Sequence, residues 1–239
     1  MSQRIARPEL PLDGILVLDF SQFLAGPVSA MRLADLGARV IKIERPGTGD
    51  IGRTLAFAGI ASDGDTLSFH IMNRNKESFA ADLKNESDKK DVIELIKKAD
   101  VIIQNFRPGV MERLGFGYEA VKAINPKIIY ASATGYGEKG PWKDRPGQDL
   151  LAQSITGFPW LNGSKDEPPI PVGIAIADIL TSIHIAHGVT ALLLRRERTG
   201  VGGFVDTSLA ESMLDLQFEL LSAHAFDDQL RVNRGPRNA

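Results

Sequence analysis

The sequence predicts an α/β fold built on a doubly wound, mostly parallel sheet of Rossmann-like type. Short β-rich runs alternate with helical stretches along the chain, an order that lays helices over a parallel sheet. Residues 14–44 contain one complete βαβ unit, the smallest piece of such a sheet. The two longest polar loops, 44–65 and 134–149, both follow strands, and that edge is where doubly wound sheets carry their ligands.

Each element has its own signal. GILVLDF (14–20) is a β-rich run, GPVSAMRLADLG (26–37) reads as a helix closed by Gly37, and RVIKIE (39–44) is the second strand. DKKDVIELIKKA (88–99) places Val92, Leu95 and Ile96 on one helical face, and strands follow in DVIIQNF (100–106) and KIIYASA (127–133). ILTSIHIAHGVTALLLRRER (179–198) is a long helix, apolar on most sides up to its basic end, which predicts a buried, central position. RTGVGGFVDTSL (198–209) reads as a helix stop, a glycine turn and a strand, and residues 208–226 are again helical. The glycines at 200, 202 and 203 follow a helix and precede a strand, so they mark a turn and not a phosphate cradle. The predicted division is a large domain over 1–225 and a charged linker over 226–239.

Composition narrows the function. With 239 residues, 43% of them hydrophobic, the chain can bury a large core. Its 28 basic and 30 acidic residues give a net charge of −2, which offers no electrostatic reason to expect nucleic acid or an anionic membrane as a partner. The absence of cysteine excludes disulfides, thiolate catalysis and cysteine-ligated zinc within these residues. The start MSQRIARPELPLDG lacks the apolar run of a signal peptide, and no uninterrupted apolar stretch reaches about 18 residues, so the expectation is a soluble cytoplasmic protein.

Several chemistries lack their motifs. After the first strand, DFSQFLAGP (19–27) offers only Gly26 where a dinucleotide-binding G-x-G-x-x-G would stand, and no P-loop pattern occurs. His184 and His187 lie three apart on the long helix, but with no third ligand in sight they read as packing histidines, and no metal is expected. Arg45 beside the turn ERPGTGD (44–50), and Arg107 and Arg113 in NFRPGVMERLG (105–115), follow strand ends. An arginine there is either a solvated surface residue or a fork for a phosphate; occurring twice, the arrangement suggests a polyanionic ligand along the sheet edge.

Two acids remain. Asp149 opens the apolar segment GQDLLAQ (147–153) in N-cap position, and Asp178 stands in GIAIADILTSIHIAHGV (173–189), where it too could cap a helix. An acid half-sheltered in so apolar a run would lose hydration, which makes it a stronger nucleophile or a perturbed acid.

Taken together, LPLDGILVLDFSQFLAGPVSAMRLADLGARVIKIERPGTGD (10–50), NRNKESFAADLK (73–84), ADVIIQNFRPGVMERLGFGYEAVKAINPKIIYASATGYG (99–137) and RTGVGGFVDTSL (198–209) resemble the class III CoA-transferases. That family includes formyl-CoA transferase and carnitine CoA-transferase, with α-methylacyl-CoA racemase as an isomerase branch. The resemblance implies a Rossmann-like large domain, a small domain, and two chains interlaced as a homodimer. It implies coenzyme A and acyl-CoA as substrates, with no permanently bound cofactor, and a small carboxylic acid as acceptor. Through the motif G-x-A-x-x-D, the family's nucleophilic aspartate corresponds to Asp178, which would form an aspartyl anhydride and then an aspartyl-CoA thioester.

The family match also assigns Asp149 as the neighbouring carboxylate. For coenzyme A it points to Gln22, Phe23 and Ala25 in the first strand-to-helix turn, Arg45 at the nucleotide, Asn105 and Phe106 near the pantetheine, and Arg107 and Arg113 at phosphates or a dimer interface. The racemase branch carries histidine where this chain has Gln148, which cannot accept and return a proton, so transfer is expected over racemisation. Leu24 replaces a glutamine that contacts the acyl group in formyl-CoA transferase, which leaves room for a larger or less polar acid. Family members continue beyond the length seen here, so the small domain is expected to be missing and the chain, alone, to be weakly active; a CoA-binding module without turnover is the remaining alternative.

Overall fold

The computed structural model describes residues 10–55, 59–164 and 166–227. β1 (Leu16–Asp19) leads into α1 (Ala25–Asp35) and β2 (Arg39–Glu44). A 3₁₀ turn (Ile51–Arg53), a small hairpin of β3 (Ala61–Ser62) and β4 (Asp65–Thr66), and α2 (Leu67–Met72) then precede β5 (Lys76–Ala80). α3 (Glu86–Ile96), β6 (Val101–Gln104), α4 (Val110–Leu114), α5 (Tyr118–Ile124) and β7 (Ile129–Thr134) follow. The last stretch holds α6 (Asp149–Ile155), α7 (Phe158–Leu161), α8 (Ile176–Thr199), β8 (Gly203–Ser208), α9 (Leu209–Leu216) and α10 (Phe218–Phe226).

Six strands form one sheet in the order β5-β2-β1-β6-β7-β8, and every neighbouring pair is parallel. This is the doubly wound order, and it reverses direction between β1 and β6. On one face Leu33 and Ala34 of α1 and Ile185, Val189 and Leu193 of α8 pack on Val17, Val40, Ile103 and Ile129. On the other, Val92 and Ile96 of α3, Met111 of α4 and Val121 of α5 cover Leu18, Ile41, Ile102 and Tyr130. Successive residues of each central strand thus serve opposite cores, which is why these strands read as nearly continuous apolar runs.

Some expectations change at this point. α8 is long and apolar enough, by length and composition, to cross a membrane, yet it is not buried all round. Seven of its residues face the fold while Ile183 and Leu194 stay exposed, because it lies on one sheet face with no further layer among the described residues. Its basic end is anchored instead of solvated: Arg196 pairs with Asp100 at 2.8 Å, and the same carboxylate accepts the Leu16 N–H, tying α8 to the foot of β1 and β6. The helix predicted over 208–226 is two, since Gln217 breaks it with its N–H turned back to the Leu214 carbonyl. β5 and α5 were not predicted, and the expected loop over 44–65 contains the 3₁₀ turn and most of the hairpin. Of the predicted linker over 226–239, Phe226 closes α10 and residues 228–239 lie outside the described residues.

Candidate active site

The crevice at the β1/β6 reversal is shaped by the turn from β1 into α1. Asn105, just past β6, holds that turn from one side: its Oδ1 accepts the Gln22 N–H at 2.8 Å and its Nδ2 donates to the Gln22 carbonyl at 2.7 Å. A Cβ on Gly26 would collide with Ser21, so glycine alone lets α1 begin this close to β1. Phe23 sits at φ 67°, a left-handed conformation costly for an aromatic residue, and half of its side chain is exposed. The Phe106 N–H is held by Gln104 Oε1 at 2.8 Å.

Beneath the turn lies an ionic network that sequence reading did not find. Asp19, Lys42 and Asp50 are buried, and the Lys76 side chain is 2% exposed. Lys42 Nζ lies 2.8 Å from Asp50 Oδ2 and donates to the Ser21 carbonyl at 2.8 Å; Lys76 Nζ donates to Asp19 Oδ2 and to the Pro27 carbonyl, each at 2.8 Å. Asp50 Oδ1 accepts the Phe23 N–H at 3.3 Å. Burial pushes the Asp19 carboxyl up, but Lys42 and Lys76 outweigh it and leave the group at about 2. Glu44 likewise falls to about 2, where Arg53 and Ser78 overcome desolvation. A lysine flanked by isoleucines in the strand RVIKIE was the one signal of this network.

On the face of the sheet that carries α1 and α8, small residues bring three helix starts together. Ala25 of α1, Ala152 of α6 and Ala177 of α8 are buried in one cluster with Leu209 and Met213. α6 is carried there by a backbone contact between Gly135 and Gly147, where a Cβ on either would strike the other chain segment. Gln148, exposed, is the N-cap residue of α6, and Asp149 is its first helical residue rather than the cap. Asp178 is no cap either, because α8 begins two residues earlier at Ile176. The capping runs between helices: Asp149 Oδ2 accepts the backbone N–H groups of Ala177 at 2.7 Å and Asp178 at 3.1 Å, while its Oδ1 takes the Gln153 amide.

The Asp178 carboxyl is pushed up to about 7, first by burial and then by the Asp149 charge, with the Ala25 backbone N–H drawing it partly back. Asp178 thus meets Asp149 and Ala25, and Ala25 ends the turn whose Gln22 is held by Asn105. Arg45 and Arg107 stand exposed just beyond β2 and β6, on either side of β1 in the sheet. Arg113 is exposed on α4, its guanidinium beside Gly109, and no contact joins these arginines to the aspartates among the described residues. His187 is exposed, whereas His184 is half-buried with its ring nitrogens engaged by Ser212 and Asp215.

The sequence model of CoA-transferase family III matches residues 12–239. The chain belongs to CoA-transferase family III. It is 43% identical over 210 residues to the acetyl-CoA:oxalate CoA-transferase of Acetobacter aceti, covering 87% of this chain and 53% of that protein. With the succinyl-CoA:glutarate CoA-transferase of Mus musculus it shares 40% identity over 204 residues, 85% of this chain and 46% of the relative. A CAIB/BAIF family protein from Brucella suis superposes with a TM-score of 0.90 at 36% identity, over 95% of this chain and 61% of that one. The family III chain therefore spans about half the length of the curated relatives it matches. What it contains is a doubly wound domain with the aspartate pair beside the β1–α1 turn.

Proposed function

We propose that this family III chain serves CoA transfer from an acyl-CoA to a carboxylic acid, with Asp178 as the nucleophile. One observation carries the reading: a half-buried carboxyl pushed up to about 7 stands at the meeting of three helix starts, beside the crevice of a doubly wound sheet. A carboxylate whose pKa is raised to about 7 is a stronger nucleophile than an ordinary one and is still about half ionised near neutrality.

In the proposed sequence an Asp178 oxygen attacks the thioester carbonyl, the C–S bond breaks, and CoA leaves as thiolate. The thiolate attacks the Asp178 carbonyl of the mixed anhydride, releasing the donor acid and leaving an aspartyl-CoA thioester. The acceptor carboxylate attacks that thioester and re-forms an anhydride with the thiolate set free. The thiolate then takes the acceptor's acyl carbon, and Asp178 returns as carboxylate. Each step exchanges one acyl bond for another, so no electrons or net protons are required. Asp149, a fixed negative charge beside the nucleophile, tunes how readily Asp178 leaves its adducts.

For the substrate we assign Gln22, Phe23 and Ala25 to the thioester end, Asn105 and Phe106 to the pantetheine, and Arg45, Arg107 and Arg113 to phosphates. Support for the arginines is their exposure at the ends of elements flanking the crevice. Transfer is favoured over racemisation because Gln148 offers no proton and no histidine accompanies the aspartate pair. Leu24, which packs against Val28, Met31 and Met72, offers no amide to the acyl group, in keeping with a larger or less polar acid than oxalate. An interlaced homodimer is supported by α10, which buries no residue although Phe218, Leu221 and Phe226 are apolar and exposed.

To test the reading, the intact protein is incubated with an acyl-CoA, trapped with hydroxylamine or borohydride, and its peptides weighed. Modification of the peptide holding Asp178 is expected; a trapped peptide lacking Asp178 overturns the assignment.

A further inference from the structure

The peptide unit that carries Asp178 is gripped at both ends. Its N–H donates to Asp149 Oδ2 at 3.1 Å, and its C=O, the Ala177 carbonyl, accepts from Thr181 Oγ1 at 2.8 Å. Thr181 Oγ1 also lies 2.9 Å from Ser212 Oγ on α9, Ser212 Oγ lies 3.0 Å from His184 Nδ1, and His184 Nε2 lies 3.2 Å from Asp215 Oδ2. Thr181 is fully buried and Ser212 nearly so, while the Asp215 side chain is 71% exposed. The group has the composition of a nucleophilic triad, but a serine at 2% exposure cannot reach a substrate.

Each hydroxyl has one hydrogen to give, so the chain can point only one way at a time. With His184 protonated, Nδ1–H donates to Ser212, Ser212 donates to Thr181, and Thr181 donates to the Ala177 carbonyl. With His184 neutral and its proton on Nε2 toward Asp215, Nδ1 must accept from Ser212, Ser212 accepts from Thr181, and the Ala177 carbonyl loses its hydroxyl. Among the described residues, Asp215 is the ionisable group paired with the ring. On the same helix Glu211 turns to Ser208, on α1 Arg32 turns to Ser182, on α6 Asp149 faces the first turn of α8, β7 carries no charge, and Asp206 of β8 lies with Glu138 and Glu211.

We propose that His184, through Ser212 and Thr181, is a positioning residue that clamps the Asp178 peptide and fixes the nucleophile relative to Asp149. This rests on the transferase reading of Asp178 given above. An asparagine at 184 keeps a donor near the Nδ1 position that orients Ser212, whereas leucine fills the space and leaves the Ser212 hydroxyl unoriented, free to draw the Thr181 hydrogen off the Ala177 carbonyl.

His184→Leu is expected to lower kcat for CoA transfer about ten-fold at unchanged KM for the acyl-CoA, and His184→Asn to restore it to within about two-fold. Thr181→Val, close in shape but without the hydroxyl, should reproduce the leucine defect, and melting temperatures identify any variant that fails to fold. Equal loss in the asparagine and leucine variants, or wild-type kcat in the leucine and valine variants, overturns the clamp. If the wild type itself forms no adduct at Asp178, the transferase reading fails. The clamp is then decided by the pH midpoint of carbodiimide labelling at Asp178, which must differ between wild type and Thr181→Val; identical midpoints overturn it.

Discussion

Asp149 accepts the backbone N–H of Asp178 at 3.1 Å, so one aspartate caps the helix that bears the other. The contact does two things at once. It satisfies amides at the start of a 24-residue helix, and it sets a negative charge beside a second carboxyl that burial already disfavours ionising.

The rate of Asp178 adduct formation should therefore rise with pH through a midpoint of about 7 and level off at higher pH, where the carboxylate form is complete. In Asp149→Asn the amide oxygen keeps the N–H contacts while the like charge is gone, so the midpoint moves down. It stays above the ordinary carboxylate range because burial, the larger cause, persists. Mass-spectrometric adduct yield against pH reads both; an unmoved midpoint in Asp149→Asn refutes the electrostatic coupling.

Asp178 should cost stability at neutral pH. Its carboxyl is raised from 3.8 to about 7 on folding, so between those values the unfolded chain gives up the proton first and stability falls as pH rises. Well below 3.8 both states are protonated and the penalty vanishes. Asp178→Asn is expected to be more stable than wild type by on the order of 2 kcal/mol near pH 8 and to converge on it as the pH falls to about 3, by urea denaturation.

Lys42→Met should be severely destabilising, because it leaves Asp50 and part of the Asp19 charge buried without their partner. A loss of about 3–5 kcal/mol is expected. Adding Asp50→Asn should recover much of it, and a double-mutant cycle from urea midpoints measures the coupling.

Gly26→Ala tests the β1–α1 turn. The added methyl collides with Ser21, whose carbonyl is held by Lys42, so α1 must move away from Asn105. The expected result is about a ten-fold rise in KM for acyl-CoA with a stability loss of about 1–3 kcal/mol. Unchanged KM would show that the turn does not touch the substrate.

How far the sequence reached differs by element. RVIKIE and DVIIQNF are legible as strands because each carries a β-branched apolar core, Val40, Ile41 and Ile43 in one and Val101, Ile102 and Ile103 in the other. KESFA, the edge strand β5, is half solvated and carries one large apolar residue, so only its pairing with β2 makes it a strand. Lys42 is buried within the sheet, and besides Glu44 of its own strand its counter-charges come from two other segments, at Asp19 of β1 and at Asp50. Both site aspartates were legible, and the local pattern allowed each to cap its own helix; the cap that forms joins residues 29 apart in sequence.

The sequence by itself determined the alternation of strands and helices, the absence of dinucleotide and P-loop motifs, and the residues that mark the family. Those are local patterns, fixed by side-chain period, turn chemistry and motif spacing. Only the tertiary structure decided that Asp149 and Asp178 share one helix start, that Ala25 meets them, and that a buried ionic network holds the turn above. Desolvation and charge–charge interaction depend on distance through space, and chain order does not encode that distance.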